Sequence, residues 1–173
     1  MINYNFGVGL DALGPELLDD LREWRNDPRI RSWCRQVGLI SPRDQERWYL
    51  WQNDDKNTQM FSVIEQGKQD VVGVCGLTSI DLICRRAEFS LYIAPKFQGF
   101  KLGYCALKTL VKYGFMELGL NSIWGESFDG NSAMNMFVQI GFKHEGTRRE
   151  FYYKNGKFLD AQLFSILRHE FNE

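Results

Sequence analysis

Between Glu88 and Tyr104 the chain reads EFSLYIAPKFQGFKLGY, an alternating segment that passes through Pro95 into a glycine-bearing turn and then into a long apolar-periodic run. Such a turn can hold a phosphate. Backbone N–H groups at a helix start lack intrahelical partners and sit at the positive end of the macrodipole, so an anion binds there without any basic side chain. The amides from Gln98 through Gly99, Phe100, Lys101, Leu102 and Gly103 to Tyr104 are the candidates, and the two glycines let a ligand approach the main chain closely. A dinucleotide fingerprint would need three ordered glycines and an acidic residue roughly twenty positions on. Those glycines are missing, which argues against that ligand.

The elements that must position this turn follow from periodicity. Glu88, Ser90 and Tyr92 share one face of a strand while Ala87, Phe89, Leu91 and Ile93 share the other, and Pro95, which has no N–H for a ladder, ends it. Leu107, Leu110, Val111, Phe115 and Leu118 then recur at helical spacing, so a helix of about four turns runs from the turn to near Gly119. Met60 to Glu65 and Val71 to Thr78 read as strands that join the Glu88 strand in an antiparallel meander. Ser122 to Phe128 is the next strand, and because a helix precedes it, a crossover makes it parallel to the Glu88 strand. That places the phosphate turn at a carboxyl end of the sheet.

The remaining elements complete a mixed α/β sheet flanked by helices. Pro15 to about Arg25 predicts a helix ending before Asp27-Pro28, and Ser41-Pro42-Arg43-Asp44 announces another, with Ser41 as N-cap. A short helix spans about Asn131 to Gln139, and Asn155-Gly156 turns a hairpin between Lys143–Tyr153 and Lys157–Leu167. Composition is that of one ordinary globular domain, residues 1–173, with 44% hydrophobic and 25% charged residues. Its formal charge of -1 offers no general attraction for nucleic acid or an anionic membrane. The four cysteines show no CxxC spacing and there are only two histidines, so no metal site is predicted. Without a targeting pattern or a long apolar run, a soluble cytoplasmic protein is expected.

Taken together, the turn, the preceding RRAEFSLYI, the following LGLNSIW and the segment AMNMFVQIGFKHEGTRREFYYKNGKFLDAQLFSIL resemble the GNAT superfamily of acetyl-CoA-dependent N-acetyltransferases. They resemble most the branch that contains ribosomal-protein N-terminal, spermidine and amino-sugar acetyltransferases. Gln98 and Gly103 match the ends of the family's cofactor motif, whereas Lys101 stands where the family usually has its first glycine. The resemblance implies a strand splayed from its parallel neighbour, with Leu91, Tyr92 and Ile93 offering backbone groups to the pantetheine arm and to the thioester oxygen. It places a proton-donating tyrosine at Phe137, which has no proton to give, and a cofactor-contacting asparagine next to Asn131, a residue that a helix N-cap role also explains.

Acetyl transfer to an amine needs the amine neutral, so Glu88 and Glu126, on neighbouring strands, are the candidate bases, directly or through water. The other reading of either is an ion-paired acid at a sheet edge, Glu88 beside Arg85 and Arg86. Tyr104, Tyr152 and Tyr153 are the hydroxyls that could stand in for the missing tyrosine. The resemblance also makes Trp24 to Pro28 part of the acceptor wall. By their own chemistry Arg25 or Arg29 could bind a carboxylate or phosphate there and Trp33, Trp48 and Trp51 could stack on a sugar or base, or else all serve as ordinary core and surface. Direct transfer from acetyl-CoA to a primary amine is expected, with a protein N-terminus first, then an amino sugar or a polyamine. A CoA-binding module without turnover is the rival, given Lys101 and Phe137. Cys105 is expected to pack rather than react, and the final strands could pair in a homodimer.

Overall fold

A computed structural model describes residues 1–172. Eight strands among them form one sheet: β1 Ile2–Asn3, β2 Val8–Ala12, β3 Gln59–Glu65, β4 Val71–Asp81, β5 Arg86–Ile93, β6 Ser122–Phe128, β7 Lys143–Lys154 and β8 Lys157–Leu167, in the order β1-β2-β3-β4-β5-β6-β8-β7. Every neighbouring pair is antiparallel except β5 and β6, which the crossover helix α4, Leu102–Met116, makes parallel. The antiparallel meander and the mixed sheet expected from sequence are present. The two amino-terminal strands are not visible as alternation because they are only two and five residues long.

One face of the sheet carries α4 and α5, Ala133–Ile140. Leu107, Leu110, Val111 and Phe115 of α4 pack there on Leu77, Ala87 and Ile123. Leu110 is fully buried, and truncating such a leucine to alanine costs about 2–5 kcal/mol. The other face carries α1, Leu18–Asn26, and α3, Pro42–Asp54, where Leu21 and Trp48 pack on Val74, Met60 and Tyr92. Ser41 caps α3 as predicted, accepting from the Asp44 N–H at 3.2 Å while Asp44 accepts back from the Ser41 N–H. Between α1 and α3 lies an unforeseen turn of helix, α2, Pro28–Arg31. Asp27 caps it by accepting from the Arg29 N–H at 2.8 Å, so the Asp27-Pro28 stop signal is also a start signal.

The parallel pairing is short: Arg86↔Ser122, Ala87↔Ile123 and Glu88↔Trp124. Beyond it β5 stays with β4 as far as Gly73↔Ile93, and β6 stays with β8 as far as Phe128↔Ala161, so the two strands part. The first residues past the fork are Phe89 and Gly125. A Cβ on Gly125 would lie 2.3 Å from the Phe89 ring, so the ring lies against bare backbone that only glycine offers. Phe137 and Phe142 hold the ring from behind, with centroids 5.1 and 5.2 Å away.

Candidate active site

The fork opens a cleft across the carboxyl end of the sheet. Ala94 N–H donates to the Val72 carbonyl at 2.9 Å, which turns the backbone of alternate residues, counting back from Ala94, toward β4. Leu91 and Ile93 therefore direct their own amides and carbonyls to the side that β6 has left. Gln98 Nε2 donates to the Ile93 carbonyl at 3.0 Å, fastening the turn to the end of β5, and leaves the Leu91 groups facing the gap.

The turn bounds a cavity of about 540 Å³ with Leu91, Gly99, Lys101, Gly103, Tyr104 and Asn135 on its wall. Lys101 is the N-cap of α4 and caps it with no side chain; the first intrahelical bond reaches back from Cys105 N–H to the Lys101 carbonyl at 3.1 Å. The amides of Leu102, Gly103 and Tyr104 thus precede the ladder. Lys101 has φ 61°, the left-handed conformation in which glycine is at ease, and Gly99 has φ 89°. Gly103 is different: a Cβ there would meet only ordinary contacts, at 3.5 Å from Ile93 and Met136, so the protein's own packing does not require glycine. The main chain there is left open to the cavity. Phe100 is the exception among the turn residues, its side chain 71% exposed and outside the cavity, so its part is confined to the backbone.

At the other end, a contiguous cavity of about 380 Å³ shares Trp33, Leu91, Asn131 and Met136 with the first and contains both carboxylates. Glu88 does not pair with Arg85 or Arg86, as a sheet-edge acid would: Arg86 lies 3.5 Å from Asp81, and Arg85 donates to the Gly119 carbonyl at 3.4 Å. Its partner is Arg35, whose Nη2 donates to Glu88 Oε1. The Glu88 side chain is 9% exposed, and its second oxygen has no partner among the described residues. Glu126 is more tightly held. Arg148 Nη1 donates to its Oε2 at 3.2 Å, Tyr152 Oη donates to its Oε1, and Arg35 Nε lies 3.8 Å away. Burial, aided by the bond to Glu126, pushes the Tyr152 phenol up to about 12, so it stays protonated.

The acetyltransferase (GNAT) domain family model matches residues 8–143, which span both cavities' principal walls. The chain belongs to the GNAT family of acetyltransferases. Over 172 residues it is 33% identical to the putative ribosomal N-acetyltransferase YdaF of Bacillus subtilis, covering 96% of this chain and 94% of that one. It is 28% identical to the spermidine N(1)-acetyltransferase of Vibrio cholerae, covering 96% of each. The crystal structure of the Vibrio cholerae spermidine N-acetyltransferase in complex with CoA and spermine superimposes with a TM-score of 0.90 at 26% identity, over 96% of this chain and 98% of that one. The similarity fixes the family and an N-acetyltransferase activity, and it extends equally to ribosomal and polyamine relatives.

Within this GNAT fold Phe137 is buried, its ring edge-on to Phe89 and Phe164 and tilted against Phe142 at the cleft floor. Of the three tyrosines that could replace a hydroxyl there, Tyr104 lines the cavity at the turn, Tyr153 is 63% exposed against Phe158, and only Tyr152 reaches the carboxylates. Ser127, which no motif in the sequence marks, also lies here. Its buried hydroxyl accepts from Asn131 Nδ2 at 2.9 Å, lines the same cavity as Phe137, and has no acceptor for its own proton among the described residues. Ser132, not Asn131, is the N-cap of α5, but Asn131 Oδ1 accepts from the Ala133 N–H at 3.0 Å from one position earlier, so Asn131 braces the helix start while it holds Ser127. Burial raises the Cys105 thiol above its ordinary value, which disfavours the thiolate a covalent route would need.

The loop that follows α2 walls the cleft through Trp33, Cys34 and Arg35. Trp33, 45% exposed, overhangs both cavities, and Arg35 follows it. Lys154, on β7, pins this loop by donating to the carbonyls of Arg31, Cys34 and Gln36, and that tether fixes where Arg35 stands. Nothing local in the sequence marks either residue, since their partners lie 53 to 123 positions away. Trp48 lies off the main cleft, packed beside Leu21 and bordering a side pocket. Among the described residues, no group of three or more potential metal ligands occurs and no helix is long and apolar enough to cross a membrane.

Proposed function

We propose that the enzyme transfers acetyl from acetyl-CoA directly to a primary amine that enters beside Glu88. The single observation that carries this is the fork: it ends at Glu88↔Trp124, so unpaired β5 backbone, a phosphate turn and two carboxylates open onto one continuous cleft. The site fits acetyl-CoA on its own features, namely the Gly103 main chain kept clear of side-chain bulk and the uncapped amides that follow Lys101. Amides between Gln98 and Tyr104, with the Lys101 ammonium, hold the diphosphate, and the Leu91 to Ile93 backbone holds the pantetheine arm alongside Asn131. When bound, the thioester supplies the activated acetyl group.

The chain's own groups do the rest. Glu88, with one oxygen free, takes the proton from the incoming ammonium, and Glu126, committed to Arg148 and Tyr152, fixes Arg35 and thereby Glu88. A Leu91 amide in the gap binds the carbonyl oxygen as charge develops on it. Ser127 supplies the hydrogen bond to the departing sulfur that Phe137 is unable to give. The test is thiol release with acetyl-CoA across a panel of amines. Glu88→Gln should lower kcat roughly 100-fold and leave the acetyl-CoA dissociation constant unaltered; full activity in this variant would remove Glu88 from the role of base.

A further inference from the structure

We infer that the acceptor of this enzyme is a small amine carrying an anionic group and a flat ring, rather than a polyamine, and that Arg25 selects it. The inference rests on the acetyl-transfer reading above and concerns the acceptor end of the same cleft. Arg25 stands where that end meets the side pocket: it lines both cavities, as do Thr78 and Ser90. Its guanidinium lies 5.5 Å over the Tyr92 ring and its Nε donates to Gln36 Oε1 at 3.3 Å. It has no carboxylate partner among the described residues, so a half-buried positive charge faces the space an acceptor must enter.

The carboxylates there do not pair with it. Glu88 is already met by Arg35, and Glu126 by Arg148 and Arg35. The side pocket's own acid, Asp44, binds the Ser41 cap through Oδ2, which holds it ionised below the usual carboxylate range, while its Oδ1 lies 4.0 Å from Arg47. A polyamine brings further ammonium groups beyond the one that reacts, and each needs a carboxylate to replace its water. Only the one Asp44 oxygen, already shared with Arg47, is left for it, and Arg25 repels it. The opposite chemistry is well served. A phosphate or carboxylate can accept from Arg25, and beyond it a pocket of about 260 Å³ bounded by Ile40, Trp48, Trp51, Met60 and Tyr92 suits a flat ring.

Steady-state rates with acetyl-CoA should be measured on matched acceptors: a nucleoside-diphosphate-linked amino sugar against the free amino sugar, phenylalanine against phenethylamine, and spermidine and spermine. The first pair reads a phosphate, the second a carboxylate. At least one anionic acceptor should exceed its neutral match and both polyamines by tenfold or more in kcat/KM, and Arg25→Met should erase that preference, a loss of roughly 10- to 100-fold. Circular dichroism and an unchanged acetyl-CoA dissociation constant establish that the variant is folded. Calorimetric titration of the same acceptors into the CoA-bound protein separates the two readings. Binding of an anionic acceptor that Arg25→Met abolishes, without turnover, sustains the subsite and refutes acetyl transfer. Turnover that favours a polyamine, or a preference that survives Arg25→Met, overturns the inference and leaves acetyl transfer standing. Neither binding nor turnover with any acceptor overturns both.

Discussion

Gly125→Ala tests whether the ring of Phe89 sets the fork. A methyl group there would stand 2.3, 2.7 and 2.8 Å from three atoms of that ring, where carbon atoms pack at roughly 3.5–4.0 Å. The ring must yield by more than an ångström, yet Phe137 and Phe142 close off its retreat at centroid distances of 5.1 and 5.2 Å. Overpacking of this kind costs about 1–3 kcal/mol, which for a chain of this size is a fall in Tm of about 2–12 °C. Since Phe89 and Gly125 flank the gap in which we place the pantetheine arm, acetyl-CoA affinity should fall with it. The assay is a double-mutant cycle by thermal and urea unfolding, with acetyl-CoA titrations on each variant. Phe89→Leu removes the ring atoms that clash, so the pair Phe89→Leu/Gly125→Ala should be more stable than the sum of the single losses allows, by about 1 kcal/mol or more. Strictly additive losses, or a Gly125→Ala protein that melts with the wild type, would refute the wedge.

Three further outcomes follow from the geometry. Lys101→Gly relieves a left-handed residue worth about 1 kcal/mol, partly offset by the freer unfolded chain; Tm should hold or rise slightly while the acetyl-CoA dissociation constant weakens several-fold and becomes less sensitive to salt. Ser127→Ala should lower kcat about tenfold or more with little change in KM for acetyl-CoA, measured by thiol release; an unchanged kcat would leave departure of the sulfur to water. The Tyr152 phenol is held up to about 12, so its neutral form stabilises the fold fully below the ordinary tyrosine value near 10, and that contribution is lost as pH rises from there through 12. Ultraviolet titration of wild type against Tyr152→Phe should show this one phenol ionising near 12, and Glu126→Gln should bring the step down; a step at 10 in the wild type would contradict the bond to Glu126.

By itself the sequence determined the parts whose causes are local. Alternation and Pro95 bounded β5, helical spacing and the glycine turn placed the start of α4, Ser41-Pro42 capped α3, and Asn155-Gly156 turned the last hairpin. Each depends on residues within a few positions of one another, and that is the range over which periodicity and turn chemistry act. The parallel neighbour of β5 was legible too, because a helical crossover leaves few topologies. Tertiary structure alone decided what those elements do to one another. It ended the β5–β6 pairing at Glu88, set Phe89 on Gly125, and brought Arg35, Arg148 and Tyr152 to two carboxylates that the sequence could only pair with their neighbours. It also exposed Phe100 and buried Phe137. Charge partners chosen across more than twenty residues, and the room a ring finds against a glycine, depend on the packing of the finished sheet and leave no periodic trace in the chain.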